Sequence, residues 1–168
     1  MKVPHETIEL LRSRMEAAVA PYSKRGSALL AVLHAVQDTL GWIPPDAEEA
    51  VADFLGMPIS KVDEALSFYT LFRRKPPPRY RLQVCRTLSC AVCGEADLSR
   101  VIRDRLGLSD GGATPDGLFS LEAVECLGAC EMAPAIRVND DPACGPMDAD
   151  SLGALLDRLT REGTRIAG

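Results

Sequence analysis

The chain has 168 residues, with 19 Lys and Arg against 24 Asp and Glu and a formal net charge of −5 at pH 7. Its 46% hydrophobic and 26% charged residues are ordinary for a globular protein, and no apolar run is long enough to predict a transmembrane helix. Residues 1–80 hold 10 basic and 10 acidic residues, whereas residues 81–168 hold 9 and 14, so the composition argues against nucleic-acid binding, which needs a basic face.

The first half of the chain is predicted to be helical. Apolar residues at helical spacing predict three helices, over residues 5–20, 28–41 and 46–56. Ser27 is placed to cap the second of these helices and Gly41 to end it. A fourth helix is expected from Ser60, where Ser-Lys-Val-Asp resembles a capping box, to about Phe72. The short links between the helices favour a small bundle, to which we assign a docking role.

A proline-rich segment separates the helical half from a half in which strands and helices alternate. RRKPPPR, residues 73–79, is expected to form an extended connector. The predicted domains are therefore a helical bundle over residues 1–75 and a second domain over residues 76–168. This second domain is predicted to contain strands over residues 80–84, 118–126 and 135–138 and helices over residues 95–108 and 148–161. The order is that of an α/β sandwich with thioredoxin-like topology.

The cysteines all lie in the second domain, at Cys85, Cys90, Cys93, Cys126, Cys130 and Cys144. The N-terminal sequence MKVPHETIEL carries acids and a proline where a signal peptide needs an apolar core, so we expect a cytoplasmic location and reduced thiols. Six cysteines in that compartment are more often metal ligands or redox groups than disulfides. Cys85 and Cys126 each end a predicted strand, and α/β folds build their sites at that end of the sheet.

Two rival chemistries fit these cysteines less well. Cys90 and Cys93 form a C-x-x-C pair, as in a thioredoxin-like redox dithiol. That assignment leaves Cys85, Cys126 and Cys130 without a role. A structural zinc site uses four thiolates, and the C-x4-C and C-x3-C pairs fit its usual spacing loosely. Such sites usually staple a very small domain, whereas this domain has helices and strands of its own.

A [2Fe–2S] cluster uses four thiolates, two on each iron, from loops that approach one another. Cysteine pairs at the ends of two adjacent strands supply such loops, and small residues between them let backbone N–H groups approach the sulfur atoms. Two ligand sets are open: Cys85, Cys90, Cys93 and Cys126, with the spacing of plant-type ferredoxins, and Cys85, Cys90, Cys126 and Cys130. We favour the second set, because the plant-type loop belongs to a β-rich fold and would leave Cys130 without a role.

Several stretches of the chain together carry a resemblance to a known family, in family order: SALLAVLHAVQDTLGWIP, VDEALSFYTLFRRKP, VCRTLSC and TPDGLFSLEAVECLGACEMAPAIRVND. Over most of its length the chain resembles the thioredoxin-like [2Fe–2S] subunit of the NADH-oxidising module of respiratory complex I, the NuoE type. The resemblance implies that Cys85 and Cys90 hold one iron. Cys126 and Cys130 would hold the other.

The resemblance also implies the partners. The subunit would store or transfer single electrons beside a NuoF-type partner that holds FMN and binds NADH, within a larger multisubunit oxidoreductase. The chain itself lacks a Gly-rich dinucleotide fingerprint, since Gly111-Gly112 lies in a predicted turn. It would therefore belong to an NADH-oxidising enzyme without carrying a complete active site. We expect it in the cytoplasm, peripheral to the cytoplasmic face of the inner membrane through the complex, with no membrane insertion of its own.

Alternatives remain for the assembly and for the class of protein. Equivalent subunits occur in NAD-dependent formate dehydrogenases and in NAD-reducing or bifurcating hydrogenases, although LGACEMAP looks more like the complex I version. A thioredoxin-like adaptor that acts in thiol–disulfide exchange or binds zinc is the alternative of another class. Cys93 and Cys144 are additions to the family pattern. We expect them to be spare thiols, Cys93 partly buried at a helix start and Cys144 on a hairpin.

Overall fold

The structure is a computed structural model that describes residues 5–109 and 111–166. The chain divides into two compact units, residues 1–77 and residues 78–168. The domain boundary expected between residues 75 and 76 stays a prediction. Among the described helices, none combines the length and the hydropathy that crossing a bilayer requires.

The first unit consists of helices, as the apolar spacing predicts. The helices are α1 (His5–Val19), α2 (Leu29–Leu40), α3 (Pro45–Leu55) and α4 (Ile59–Phe68), with a 3-10 turn over Arg25–Ala28 before α2. Their apolar faces form one core, in which Val32, Leu33 and Val36 of α2 are fully buried. Burying each such side chain contributes about 1.5–3 kcal/mol to the stability of the bundle.

Two helix starts in the first unit differ from their predictions. Ser27 lies inside the 3-10 turn, and Ala28 is the residue that precedes α2. Ser60 is the second residue of α4, which begins directly after Pro58, and no side chain among the described residues caps it. Both predicted caps are therefore wrong. Helix α4 begins two residues earlier than a serine cap at position 60 would place it, and Pro58, with φ of −62° and an extended ψ of 139°, is the residue that precedes it.

Helix α2 ends where the sequence predicts, whereas helix α4 ends earlier than its apolar spacing predicts. Gly41 ends α2 in the left-handed conformation with φ of 80°, as predicted. Helix α4 ends at Phe68 rather than near Phe72. Beyond it, the buried amide of Gln37 donates to the Leu71 carbonyl and accepts from the Arg73 N–H. These two tertiary hydrogen bonds hold the chain in a turn where local spacing would have continued the helix.

The described part of the second unit has a three-stranded sheet and three α-helices. Its elements are β1 (Tyr80–Cys85), α5 (Leu88–Val92), α6 (Glu95–Leu106), β2 (Phe119–Val124), β3 (Ile136–Val138) and α7 (Ala149–Ile166). The strand order is β2-β1-β3, with β1 parallel to β2 and antiparallel to β3. A parallel pair needs a crossover, which α5 and α6 supply. The predicted α/β class and thioredoxin-like topology are confirmed, and the short helix α5 is an addition that apolar spacing did not predict.

The two faces of the sheet differ in polarity because side chains alternate along each strand. One face packs with α6 and α7 into an apolar core made of Leu82, Val84, Leu98, Ile102, Leu108, Phe119, Leu121, Ile136, Val138, Met147, Leu152, Leu156 and Leu159. On the other face, Gln83 at the centre donates to Glu122 of β2 and accepts from Arg137 of β3, at 3.1 and 2.7 Å. Alternation places Cys85, the last residue of β1, on this polar face.

Helix α7 begins with a reciprocal cap. The Asp148 carboxylate accepts from the Ser151 backbone N–H at 2.8 Å, and the Ser151 hydroxyl accepts from the Asp148 N–H at 2.9 Å. This is the geometry of a capping box, in the sequence DADS rather than at the predicted SKVD. The Ser151 side chain and N–H also hold the pKa of Asp148 below its usual value.

Candidate metal centre

The ends of two neighbouring strands bring the cysteines of the second unit into one region. Cys85 is the last residue of β1 and pairs in register with Val124, the last residue of β2. Cys126 follows β2 by two residues, so the predicted strand end at that cysteine is two residues too late. Because β1 and β2 are parallel, their carboxyl ends lie at the same edge of the sheet. The structure thus brings the two cysteine segments together, as the sequence predicts for α/β sites.

The four candidate ligands fall into an inner and an outer pair. The inner pair is Cys85 with Cys90 of α5, which are only 3% and 2% exposed. They pack with the small side chains of Ala129 and Ala135. The outer pair, Cys126 with Cys130, is exposed to solvent. The site therefore has a water-excluded side and an open side.

The sulfur of Cys85 receives hydrogen bonds from both cysteine segments. Its Sγ lies 3.2 Å from the hydroxyl of Thr87, and the backbone N–H groups of Thr87 and Leu127 also point to it. Burial alone would raise the pKa of the Cys85 thiol, but these donors outweigh it, and the net effect is a lowered pKa. Leu127, whose N–H is one of these donors, lies between the outer cysteines.

Cys90 has the opposite balance. Burial raises the pKa of its thiol, and the N–H of Ala135 offsets only part of that effect. The neighbouring sulfur of Cys85 and the thiolate charge of Cys130 raise the pKa further. Ala129, the residue before Cys130, packs in the same buried cluster as Cys85 and Cys90.

The loop that holds the outer pair depends on a glycine. Gly128 has φ of 71°, a left-handed conformation that residues with a side chain rarely adopt. In this conformation its N–H donates to the Sγ of Cys126 at 3.3 Å. The glycine in C-L-G-A-C thus turns the loop back on its own first cysteine.

The donor set fits a [2Fe–2S] group. Four thiols stand in two pairs, backbone N–H groups already point at sulfur atoms, and alanines and a glycine leave the backbone close to the site. Within the described part of the chain, no three His, Cys, Asp or Glu side chains gather around one point closely enough to hold a single ion. Cys85, Cys90, Cys126 and Cys130 stay the predicted ligands.

The two remaining cysteines differ from one another. Cys93 is exposed and directly follows α5, so the expectation that it is partly buried at a helix start is wrong. Helix α5 is short because Gly94, with φ of 103°, separates it from α6. Cys144 is half-buried and pairs with Ile136 across the turn that follows β3, which confirms its predicted hairpin position. Burial raises the pKa of its thiol.

Sequence reasoning missed Thr87 and the amide of Leu127. The signal for Thr87 was a hydroxyl side chain two residues after a predicted ligand, which the cysteine spacing alone does not single out. The Leu127 N–H is a backbone group, and its direction depends on the loop conformation rather than on the identity of the side chain.

Comparison with known proteins agrees with this geometry. The profile of the family "Thioredoxin-like [2Fe-2S] ferredoxin" matches residues 15–160. The chain is 44% identical over 147 residues to an E-type NADH-quinone oxidoreductase subunit of Rhizobium meliloti, covering 88% of this chain and 87% of that protein. It is 40% identical over 154 residues to an NADH-quinone oxidoreductase subunit of Thermus thermophilus, covering 90% and 84%.

A solved structure has the same fold. It is a chain of an NAD+-reducing [NiFe]-hydrogenase in the air-oxidized state, with a TM-score of 0.70 and 24% sequence identity. The superposition covers 80% of this chain but 23% of that chain. At this identity the likeness concerns the fold alone.

Proposed function

The chain belongs to the thioredoxin-like [2Fe–2S] ferredoxin family, and we propose on that premise that Cys85, Cys90, Cys126 and Cys130 hold its cluster. The observation that carries the proposal is the packing of Ala129, which lies between Cys126 and Cys130, in one buried cluster with Cys85 and Cys90. This packing places the loop of the outer pair against the inner pair, as a group shared by two cysteine segments requires. The set leaves out Cys93 and Cys144.

The chain is an electron-transfer subunit of an NADH-oxidising oxidoreductase of the NADH–quinone type, to whose subunits it is 36–44% identical. When bound, the cluster takes up and gives up one electron at a time. The residues of the chain hold the sulfur atoms of the inner pair away from water, donate hydrogen bonds to them, and leave the outer pair at the surface. A surface position suits exchange of electrons with a partner protein.

The nicotinamide and flavin sites are assigned to a partner subunit. Gly111 and Gly112 exchange backbone hydrogen bonds with Leu121 of β2, at 2.9 and 3.1 Å. They therefore lie beside a strand instead of opening a helix, as a dinucleotide-binding loop would. We assign FMN and NADH to a NuoF-type subunit, with the helical unit as a docking part. Through this assembly the chain would lie at the cytoplasmic face of the inner membrane.

Equivalent subunits of formate dehydrogenases and hydrogenases would carry the same cluster, so the assembly is a separate question from the ligands. The names of the relatives favour the NADH–quinone assembly. Mass spectrometry of the subunits that co-purify with the tagged chain identifies the assembly. Membrane subunits would indicate the NADH–quinone assembly, and a molybdenum or nickel subunit would indicate a formate dehydrogenase or a hydrogenase.

The experiment that tests the cluster is metal analysis with electron paramagnetic resonance on anaerobically purified protein. We expect about two irons and two acid-labile sulfides per chain, and a spin-one-half signal after reduction with dithionite. Zinc in place of iron, or a protein without metal, would indicate a zinc-binding or thiol–disulfide adaptor and would contradict the electron-transfer role.

A further inference from the structure

The side chain of Thr87 does not do what its position in the fold predicts. Thr87 is the N-cap of α5, where a threonine hydroxyl normally accepts a hydrogen bond from an N–H of the first turn. In the described structure no side chain caps this helix. The Thr87 hydroxyl lies instead 3.2 Å from the Sγ of Cys85. A group that would usually stabilise a helix is directed at a candidate ligand.

The direction of this hydrogen bond follows from the chemistry of a ligating sulfur. Between a free thiol and a hydroxyl, either atom could donate. A cysteine that binds iron is a thiolate and carries no proton, so only the Thr87 hydroxyl can then donate. Cys85 is buried, and hydrogen bonds are stronger in such surroundings than in water.

We propose that Thr87 is a positioning residue for the cluster, whose hydroxyl donates to the Cys85 sulfur and raises the midpoint potential of the cluster. The inference rests on the proposed function, because it requires Cys85 to be a ligand. Reduction adds one negative charge to the group, and part of that charge falls on the thiolate sulfurs. A donor at a sulfur therefore stabilises the reduced form more than the oxidised form.

The test compares Thr87→Val with Thr87→Ser in the full-length protein with its cluster. Valine keeps the shape of threonine without the hydroxyl, whereas serine keeps the hydroxyl. In redox titrations followed by electron paramagnetic resonance, Thr87→Val should lower the equilibrium constant for one-electron reduction by up to about tenfold. A tenfold decrease is a shift of about −59 mV for a one-electron couple. Thr87→Ser should keep the wild-type potential.

A matched control uses another threonine. The hydroxyl of Thr39 donates to the Ala35 carbonyl inside α2, so Thr39→Val removes a hydroxyl hydrogen bond in the helical unit. It should leave the potential unchanged. Pulsed electron paramagnetic resonance in H₂O and D₂O adds a second readout. An exchangeable proton coupling present in the wild type and in Thr87→Ser should be missing in Thr87→Val.

The outcomes separate this inference from the proposed function. A Thr87→Val protein with full iron content and the wild-type potential overturns the inference and leaves the proposed function standing. A wild-type protein without iron and sulfide overturns both. If Thr87→Val does not retain iron, Thr87→Ala replaces it in the same comparison. Loss of the cluster from both variants, but not from Thr87→Ser, would assign Thr87 to cluster assembly and overturn a role in the potential.

Discussion

At the scale of single residues, Cys93 and Cys130 are both exposed thiols, but their surroundings differ. Cys130 follows Ala129, which packs with Cys90 of the inner pair in one buried cluster, whereas Cys93 follows the end of α5. We predict that Cys130→Ser loses the cluster or changes its spectrum and that Cys93→Ser keeps both iron content and spectrum. Iron analysis and visible circular dichroism of the two purified variants measure this. The reverse result would establish the plant-type ligand set.

Two glycines give a matched pair of substitutions in the second unit. A methyl group at Gly145 would overlap the backbone carbonyl oxygen of Met132, which cannot rotate away. A methyl group at Gly153, within α7, would meet only the flexible end of the Arg105 side chain. We predict that Gly145→Ala lowers the free energy of unfolding by about 1–3 kcal/mol.

The same substitution at Gly153 should be neutral or stabilising by up to about 1 kcal/mol, since alanine favours a helix interior. Urea denaturation of the two variants and the wild type provides the comparison. A Gly145→Ala protein as stable as the wild type would show that the carbonyl of Met132 can move aside.

The four candidate ligands could be found from the sequence because their identities and spacings carry the signal. The donors around them could not. Whether the Thr87 hydroxyl caps α5 or turns to Cys85, and whether the Leu127 N–H faces the inner pair, depends on loop conformation. Spacing predicts the candidate ligands, whose assignment stays a prediction, while hydrogen-bond geometry around them requires coordinates.

At the scale of elements, the two candidate capping boxes of the chain can be tested against each other. Asp148 and Ser151 bond reciprocally at the start of α7, whereas Ser60 lies inside α4. We predict that Asp148→Ala speeds amide hydrogen exchange in the first turn of α7. Ser60→Ala should leave exchange in α4 unchanged. Hydrogen–deuterium exchange with mass spectrometry measures both, and faster exchange in α4 would show that Ser60 supports that helix.

Element types were easier to predict than their limits. The helices of the first unit and all three strands of the second appear where apolar spacing places them. Helix α4 ends early because Gln37, which lies far away in the sequence, binds residues 71 and 73. Helix α5 was missed because five residues are too few for a helical period to show. Local patterns thus identify elements, while tertiary hydrogen bonds set their ends.

At the scale of the whole molecule, each unit has an apolar core of its own. The core of the first unit contains residues between 11 and 72, and the cores of the second unit contain residues between 82 and 159. The four candidate ligands, Thr87 and Leu127 all lie in the second unit. Cluster binding and docking would then depend on different parts of the chain.

This separation predicts the behaviour of a fragment. Residues 76–168, expressed alone, should bind about two irons per chain with the resonance signal of the full-length protein, because every proposed ligand and donor is retained. The same fragment should no longer co-purify with the flavin-containing partner, since the proposed docking helices are missing. The fragment with Cys130→Ser controls for iron bound nonspecifically. A fragment that holds no iron would mean that the helical unit is needed to form the cluster site. A fragment that still binds the flavin-containing partner would show that the cluster domain, and not the helical unit, docks on that partner.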